Sequence, residues 1–360
     1  MTAIEMTLKS FAECIGSLLK EYSVLAPARV DGKLDYIWLD DPSQMELGDE
    51  LPYKSPKEAL FPRVEPIIQF TKDGIVEPGH HKPILLVGVK PCDITSINML
   101  DILFSEKNNQ YDDPYYKRRR KMLITIGMEC LQKKRGCFCE ELGIDRTFSD
   151  SCDAFITFKT NSLVINILNA NIESIFLKLD GKHFNQAICV SKQVVPAQSV
   201  IAENQPSMSH GHANLSSKLN TQLSISADEC DLFESIPWDK YSESCLSCGT
   251  CTYICPTCHC FEFQDVEKDG VITRNRCWDS CMYQKFTLHA SGHNPRPTQK
   301  ERFRQRVLHK YVYIPKKCSI IACTGCGRCI RSCPGGVNIY KTVKNIISHI
   351  QAPNKKGAVK

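Results

Sequence analysis

The chain is expected to fold as α+β: a mixed α/β N-terminal domain over residues 1–190, a linker or surface segment over 191–230, and a cysteine-dense domain over 231–360. Three observations carry this. Short apolar runs bounded by turn residues alternate with helical stripes in the first half. A Ser, Gln, Asn and Lys-rich stretch interrupts the pattern from about Ser191 to Asp228. Beyond it, cysteines recur at two- and three-residue intervals.

Along the first domain, Met6, Leu8, Phe11, Ile15, Leu18 and Leu19 approximate an amphipathic helical stripe. Asp31-Gly32 separates VLAPARV from KLDYIWL and signals a hairpin. The run from Pro83 to Val89 reads as a buried strand, followed by a helix from Ile94 to Phe104. Met122–Ile126 reads as a second buried strand, and Asp153–Leu168 as a hairpin turning at Thr160-Asn161-Ser162. Lys117–Lys121, KRRRK, is taken as a solvated turn. In the polar segment, His210 and His212 are taken as solvated side chains. At the far end, Ile339, Val343, Ile346, Ile347 and Ile350 mark a helix packing on the cysteine-rich domain.

Composition bounds the chemistry. The 360 residues are 42% apolar and 24% charged, enough for a sizeable core in an ordinary soluble chain. A net charge of +5, mixed along the chain, does not argue for nucleic acid. The N-terminus shows no basic region followed by an apolar core, and no stretch reaches the roughly 20 apolar residues of a membrane span. The expectation is a cytoplasmic protein, where 21 cysteines at short spacings point to metal rather than disulfides.

The first cysteine run is Cys245, Cys248, Cys251 and Cys255 followed by Pro256; the second is Cys323, Cys326, Cys329 and Cys333 followed by Pro334. This is the spacing of bacterial two-cluster ferredoxins. Three thiolates two residues apart wrap three corners of a cubane, and the next cysteine points away toward the other cluster. One [4Fe-4S] cluster is therefore expected on Cys245, Cys248, Cys251 and Cys333, and a second on Cys323, Cys326, Cys329 and Cys255. The C-terminal domain is expected to be bacterial-ferredoxin-like, with a long insertion between Cys255 and Cys323. Structural zinc takes four ligands, usually as two pairs, and fits two full triplets poorly.

Other cysteines remain. Cys92 and Cys130 each follow an expected buried strand, and Cys137 and Cys139 come soon after. If those strands are neighbours, the four thiols converge at one sheet edge, an additional metal site that could hold a third iron–sulfur cluster. Cys258, Cys260 and Cys281 are either further ligands, a sulfur-handling thiol site, or packing residues. Cys14, Cys152, Cys189, Cys230 and Cys318 stand alone and read as packing. The basic stretch Gly292–Lys310 favours docking to an acidic partner or a cofactor phosphate, with charge compensation of the clusters as the alternative.

With these landmarks quoted, the chain resembles the iron–sulfur protein shared by anaerobic sulfite reductases and sulfhydrogenases, the beta chain of the latter. SPKEALFP, GVKPCD with LDILF after it, GCFC, CLSCGTCTYICPTCHCF, WDSC, GHNPRPT and LHKY carry the likeness. The segment from Ser191 to Cys230 departs from it. The resemblance implies a non-catalytic electron-transfer subunit of an oxidoreductase of anaerobic metabolism. Its partners would be a flavin subunit with a two-iron cluster that exchanges electrons with NAD(P)H, and a catalytic sirohaem reductase or nickel–iron hydrogenase. This chain shows no Gly-rich dinucleotide fingerprint. The alternative is an enzyme acting directly on sulfur or disulfides through Cys258, Cys260 and Cys281.

Overall fold

The computed structural model describes residues 2–78, 82–105, 111–173, 175, 188–189, 225 and 229–351. Strand β1 (Thr2–Met6) leads into helix α1 (Leu8–Leu18). Phe11, Ile15 and Leu18 are buried as the stripe requires, but Met6 ends the strand instead. Thr7 sets that boundary: its side chain accepts from the Ser10 amide at 3.1 Å and caps the helix. The hairpin of β2 (Ser23–Val30) and β3 (Lys33–Trp38) turns at Asp31-Gly32, whose φ values of 48° and 75° match the right-handed twist of the flanking strands.

Strands β4 (Val64–Thr71) and β5 (Gly74–Val76) leave this sheet for another, and the chain returns as β6 (Ile84–Val89) and α2 (Pro91–Leu103). Then come α3 (Pro114–Lys121), β7 (Leu123–Met128), the hairpin of β8 (Ala154–Phe158) and β9 (Leu163–Ile167), and β10 (Ile188–Cys189). The first sheet runs β10-β1-β9-β8-β7-β6-β2-β3. Its centre, from β8 to β2, is parallel, and every residue of β6 is buried, as a strand covered on both faces should be. Because β6 and β7 are parallel neighbours, Cys92 and Cys130 leave the sheet at one edge.

The rest of the chain holds short helices and one hairpin. In order they are α4 (Glu229–Glu234), α5 (Trp238–Ser242), α6 (Thr250–Tyr253), β11 (Phe261–Lys268), β12 (Val271–Trp278), α7 (Gln299–Leu308), α8 (Ile314–Cys318), α9 (Arg328–Arg331) and α10 (Ile339–Gln351). The fold is thus α+β, with its C-terminal helix where the apolar spacing put it. Strand β12 pairs with β4, giving a second, antiparallel sheet in the order β11-β12-β4-β5. One core packs Met99 and Phe138 with Trp238, Phe303, Tyr311 and Val343. The early and late parts of the chain are therefore interleaved. His210, His212 and nearly all of the 191–228 stretch lie outside the described residues.

The basic run Lys117–Lys121 is helix, not a solvated turn. Asp113 caps α3 by accepting from the Tyr116 amide at 2.8 Å, and Pro114 opens its first turn. Arg119 then reaches inward to Glu65, which also takes the Arg276 guanidinium, so the pair of basic groups clamps a carboxylate that is 3% exposed. A second buried ion pair joins the halves: Arg328 of α9 meets Asp93 of α2 through two contacts of 2.6 and 2.7 Å, and its Nε donates to the Pro52 carbonyl at 2.9 Å. Both partners are essentially inaccessible.

Removing one member of that pair strands a charge in the interior. Arg328→Met should lower stability by about 3–5 kcal/mol. Replacing Asp93 as well, in Asp93→Leu/Arg328→Met, should restore much of the loss. Anaerobic denaturant unfolding followed by circular dichroism measures both, and equal losses in the single and double variants would show that the pair does not hold the two halves together.

Candidate functional site

The two cysteine runs adopt one loop conformation twice. Ser247 and Gly325 occupy equivalent positions at φ 52° and 62°; Gly249 and Gly327 follow at 76° and 70°, each opening a short helix, α6 or α9. The turns aim backbone amides at sulfur: Ser247 N lies 3.4 Å from Cys245 Sγ, and Gly325 N lies 3.5 Å from Cys323 Sγ. Near the end of the second run, Val337 N reaches Cys333 Sγ at 3.3 Å. Such donors stabilise thiolates and the negative groups they hold.

Three cavities lie beside these loops. The first spans about 470 Å³, part of it open to solvent, and is lined by Cys245, Cys248, Cys251, Cys333 and also Cys329. The second spans about 350 Å³, likewise partly open, and is lined by Cys255, Cys323, Cys326 and Cys329. Cys333 lines the cavity of the first run, and Cys255 lines that of the second. The third cavity, again about 350 Å³, is lined by Cys92, Cys130, Cys137 and Cys139, with Cys326 at its border. These are the four cysteines expected to gather at the β6–β7 edge.

The third cavity abuts the second through backbone contact. Phe138 N donates to the Gly325 carbonyl at 2.8 Å, and the Cys137 thiol donates to the Cys326 carbonyl at 3.2 Å. A Cβ on Gly325 would meet Cys139 N at 2.6 Å, and one on Gly327 would meet Gly136 C at 2.6 Å. Only glycine permits this approach, and both positions also need a positive φ.

Unpartnered polar atoms face the first two cavities. Ser247 Oγ, Arg306 Nε and Thr324 Oγ1 are buried without a hydrogen-bond partner, and all three residues line these walls. Arg306 lines both and is 4% exposed. Cations accompany it. Lys310 Nζ lies 3.4 Å from Cys255 Sγ and 3.0 Å from the Ala322 carbonyl. Lys57 donates to the Thr252 and Cys258 carbonyls, and Lys90 to those of Gly48 and Glu129. Among the described residues, Lys57, Lys90, Arg306 and Lys310 are buried and none forms a salt bridge with a carboxylate. Burial alone would lower the Lys310 pKa, yet the sulfurs of Cys255, Cys258 and Cys323 outweigh it and hold the value above the lysine norm. Burial pushes the Cys139 and Cys329 thiols up to about 12, so filling these cavities with a thiolate-bound group must release protons.

The donor set thus fits a negative, thiolate-bound group larger than one ion. A zinc shell closes with sulfurs about 2.3 Å from the metal. Here the sulfurs stand around a void, and among the described residues no three His, Cys, Asp or Glu side chains are grouped for a single ion. The basic stretch Gly292–Lys310 turns its Arg302, Arg306 and Lys310 inward, which favours charge compensation over docking. Their spacing of four in RFRQRVLHK, alongside Phe303, Val307 and Tyr311, is a sequence signal that this face of α7 is buried. Lys57 and Asp93 carried no comparable signal. Cys258, Cys260 and Cys281 do not line the three cavities; the Cys258 amide donates to the Cys255 carbonyl at 3.4 Å, and the Cys260 carbonyl accepts from the Asp279 amide at 3.0 Å. Cys14 is buried in the first sheet's core, and Cys152 and Cys318 pack against cores, as expected of spare thiols.

Comparison with known proteins agrees with this geometry. Residues 244–337 match the family model of the 4Fe-4S dicluster domain. Over 353 residues, covering 96% of this chain and 98% of the relative, the chain is 28% identical to sulfhydrogenase 2 subunit beta of Pyrococcus furiosus. Both findings bear out the family resemblance drawn from the cysteine runs. They support an iron–sulfur electron-transfer protein that carries 4Fe-4S clusters.

The place of Arg306 between the first two cavities has a measurable consequence. A cation there favours the more negative, reduced form of a cluster on either side. Arg306→Met should lower both reduction potentials, and Arg306→Lys should lower them less. At a fixed ambient potential, a tenfold fall in the reduced fraction corresponds to about 59 mV for one electron. Redox titration followed by paramagnetic resonance reads this directly, and unchanged potentials with full iron content would remove Arg306 from that role.

Proposed function

We propose that this chain is the electron-relaying iron–sulfur subunit of a cytoplasmic multi-subunit oxidoreductase of the anaerobic sulfite reductase or sulfhydrogenase type. One side would exchange electrons with a flavin and two-iron subunit that oxidises NAD(P)H. The other would serve a catalytic reductase or hydrogenase subunit. The observation that carries this is the row of three cysteine-lined cavities, in which neighbours share a border: Cys329 between the first and second, Cys326 between the second and third. A relay needs closely spaced sites that lead from one part of the surface to another, and the row has that form.

In this proposal Cys245, Cys248, Cys251 and Cys333 hold one [4Fe-4S] cluster, and Cys323, Cys326, Cys329 and Cys255 hold another. Cys92, Cys130, Cys137 and Cys139 hold a third iron–sulfur cluster. Each cluster, when bound, takes up and releases a single electron. The chain's own contribution is placement and electrostatics. The loop amides donate toward sulfur, Arg306 and the buried lysines offset negative charge, and Phe303, Met282 and Ile339 line the first site with apolar surface. Among the described residues no helix is long and apolar enough to cross a membrane. The low net charge gives no support for nucleic acid as a partner.

Anaerobically purified protein should hold about twelve iron and twelve sulfide per chain, against about eight if only the two C-terminal clusters form. Cys137→Ala/Cys139→Ala should lower the iron by about four with the fold retained. Full iron in that variant would refute the third site, and a preparation with zinc and no sulfide would refute all three.

Crossing gives an independent check. Cys255→Ser should abolish the paramagnetic signal of the cluster on Cys323, Cys326 and Cys329, and Cys333→Ser that of the cluster on Cys245, Cys248 and Cys251. If each substitution instead removed the cluster of its own run, the topology proposed here would be wrong. In dye-reduction assays the isolated protein should turn over only when a reduced flavoprotein supplies the electrons.

A further inference from the structure

The two sites of the dicluster domain are alike in loop geometry but not in the charge around them. Arg306 lines both cavities and does not tell them apart. Lys310 lines the second and not the first. It follows α7 in a π-helical turn, His309–Tyr313, and is 4% exposed. Its ammonium group uses all three of its donors: 3.4 Å to Cys255 Sγ, 2.9 Å to Thr257 Oγ1 and 3.0 Å to the Ala322 carbonyl. Among the described residues no carboxylate forms a salt bridge with it.

Cys255 thereby has two side-chain partners. Thr257 Oγ1 lies 3.3 Å from its sulfur and donates to the Ala322 carbonyl at 2.8 Å. Because Lys310 also serves that carbonyl, the Thr257 proton can turn to a Cys255 thiolate without leaving the carbonyl bare. At the first site the equivalent cysteine is Cys333, and its sulfur meets only a neutral donor, the Val337 amide at 3.3 Å. Cys245 likewise meets the Ser247 amide at 3.4 Å. A hydrogen bond from a charged donor is roughly twice as strong as one from a neutral donor. Positive charge and hydrogen bonds at the sulfurs both favour the reduced, more negative form of a cluster. Water at the exposed Cys248 acts in the same sense at the first site, but there it meets one exposed cysteine of four. Lys310 brings a full charge into a buried setting, where a charge is less screened.

We infer that Lys310, supported by Thr257, sets the potential of the second site and holds it above that of the first. The first electron to enter the dicluster domain then rests at the site of Cys255, Cys323, Cys326 and Cys329. This rests on the cluster assignment of the relay reading. Reduction adds one electron, from the flavoprotein partner or from dithionite in its place, and no bond forms or breaks. An electron resting there is held back from the exposed end at Cys248.

The test uses the full-length, cluster-loaded chain under anaerobic conditions. Titration with dithionite, followed by paramagnetic resonance, gives a potential for each site, with the signals assigned by their loss in Cys255→Ser and Cys333→Ser. In the wild type the signal that Cys255→Ser removes should appear first. At a fixed ambient potential, Lys310→Met should lower the reduced fraction of that site about tenfold, a fall of about 59 mV for one electron. The first site should move by less. Lys310→Arg should keep the order of the two sites. Thr257→Val should lower the second-site potential by a smaller amount, and it decides the matter in the same way should Lys310→Met fail to fold. An unchanged second-site potential at full iron content would overturn the inference. So would an equal fall at both sites, which a merely structural role would give, or a wild type whose first site is reduced before its second. Each of these outcomes leaves both clusters in place and the relay reading standing. Wild-type protein without iron would sink that reading and this inference with it.

Discussion

The cost of burying charge governs this structure. An isolated ionised side chain in a protein interior is strongly disfavoured unless opposite charge or hydrogen bonds meet it. Yet Lys57, Lys90, Arg306 and Lys310 are all nearly inaccessible, and among the described residues no carboxylate forms a salt bridge with them. Sulfur and backbone carbonyls surround them, with the Trp278 ring against Lys57, the Thr257 hydroxyl on Lys310 and Asp49 in the neighbourhood of Lys90. Lys310 touches Cys255, Arg306 lies among Cys251, Cys255 and Cys329, and Lys90 stands near Cys130 and Cys92. Arg306 and Lys310 stand as partners of thiolates and of what the thiolates bind, and Lys57 and Lys90 add carbonyl contacts beside them. Placing several negative centres in one dry region requires them, and they fix where helix α7 and the strand ends can lie.

The same requirement accounts for the interleaving of the chain. A third cysteine set can stand beside the second only if the loop of Gly136–Cys139 approaches the loop of Cys323–Cys329 backbone to backbone. The parallel β6–β7 pair supplies the rigid edge from which Cys92 and Cys130 project, and Lys90 ties the two strand ends together through the Glu129 carbonyl. Arg328 immediately precedes a cysteine of the second run, and Asp93 immediately follows Cys92, so their ion pair locks the two cavities at the residues that line them. The second sheet makes a further tie, β4 against β12, around the buried Glu65. Sequence position separates these halves, but the packing does not.

Much of this was legible beforehand, and the failures have physical causes. The strands from Ile84 and Leu123 show themselves as apolar runs, and the two cysteine runs that line the first two cavities show themselves by their spacing. These are local patterns, repeated at fixed intervals. KRRRK read as a solvated turn because a run of like charge usually faces water. The burial of its Arg119 depends on Glu65, distant in sequence, and no local pattern shows that partner. Lys57 was invisible for the same reason: its contacts with Thr252 and Cys258 lie in the other half of the chain. Met6 was given to the helix because periodicity extends past a cap unless the capping threonine is weighed against it. Local periodicity finds elements; it does not find a long-range charge partner.

The order of the three cavities carries its own consequence for electron flow. The shared borders at Cys329 and Cys326 put the second cavity in the middle, and its Cys255 and Cys326 are among the buried cysteines. At the first cavity Cys248 is exposed, whereas the second and third cavities each combine two buried cysteines with two half-buried ones. The row therefore has one end near solvent, at Cys248, and its other end is built from the first half of the sequence. In the proposed relay, the two ends of the row, held at a fixed separation by the Asp93–Arg328 pair and the glycine contacts, are where two partners would meet this chain. The direction of flow is then set by the relative potentials along the row, which the uneven distribution of buried cations is placed to adjust.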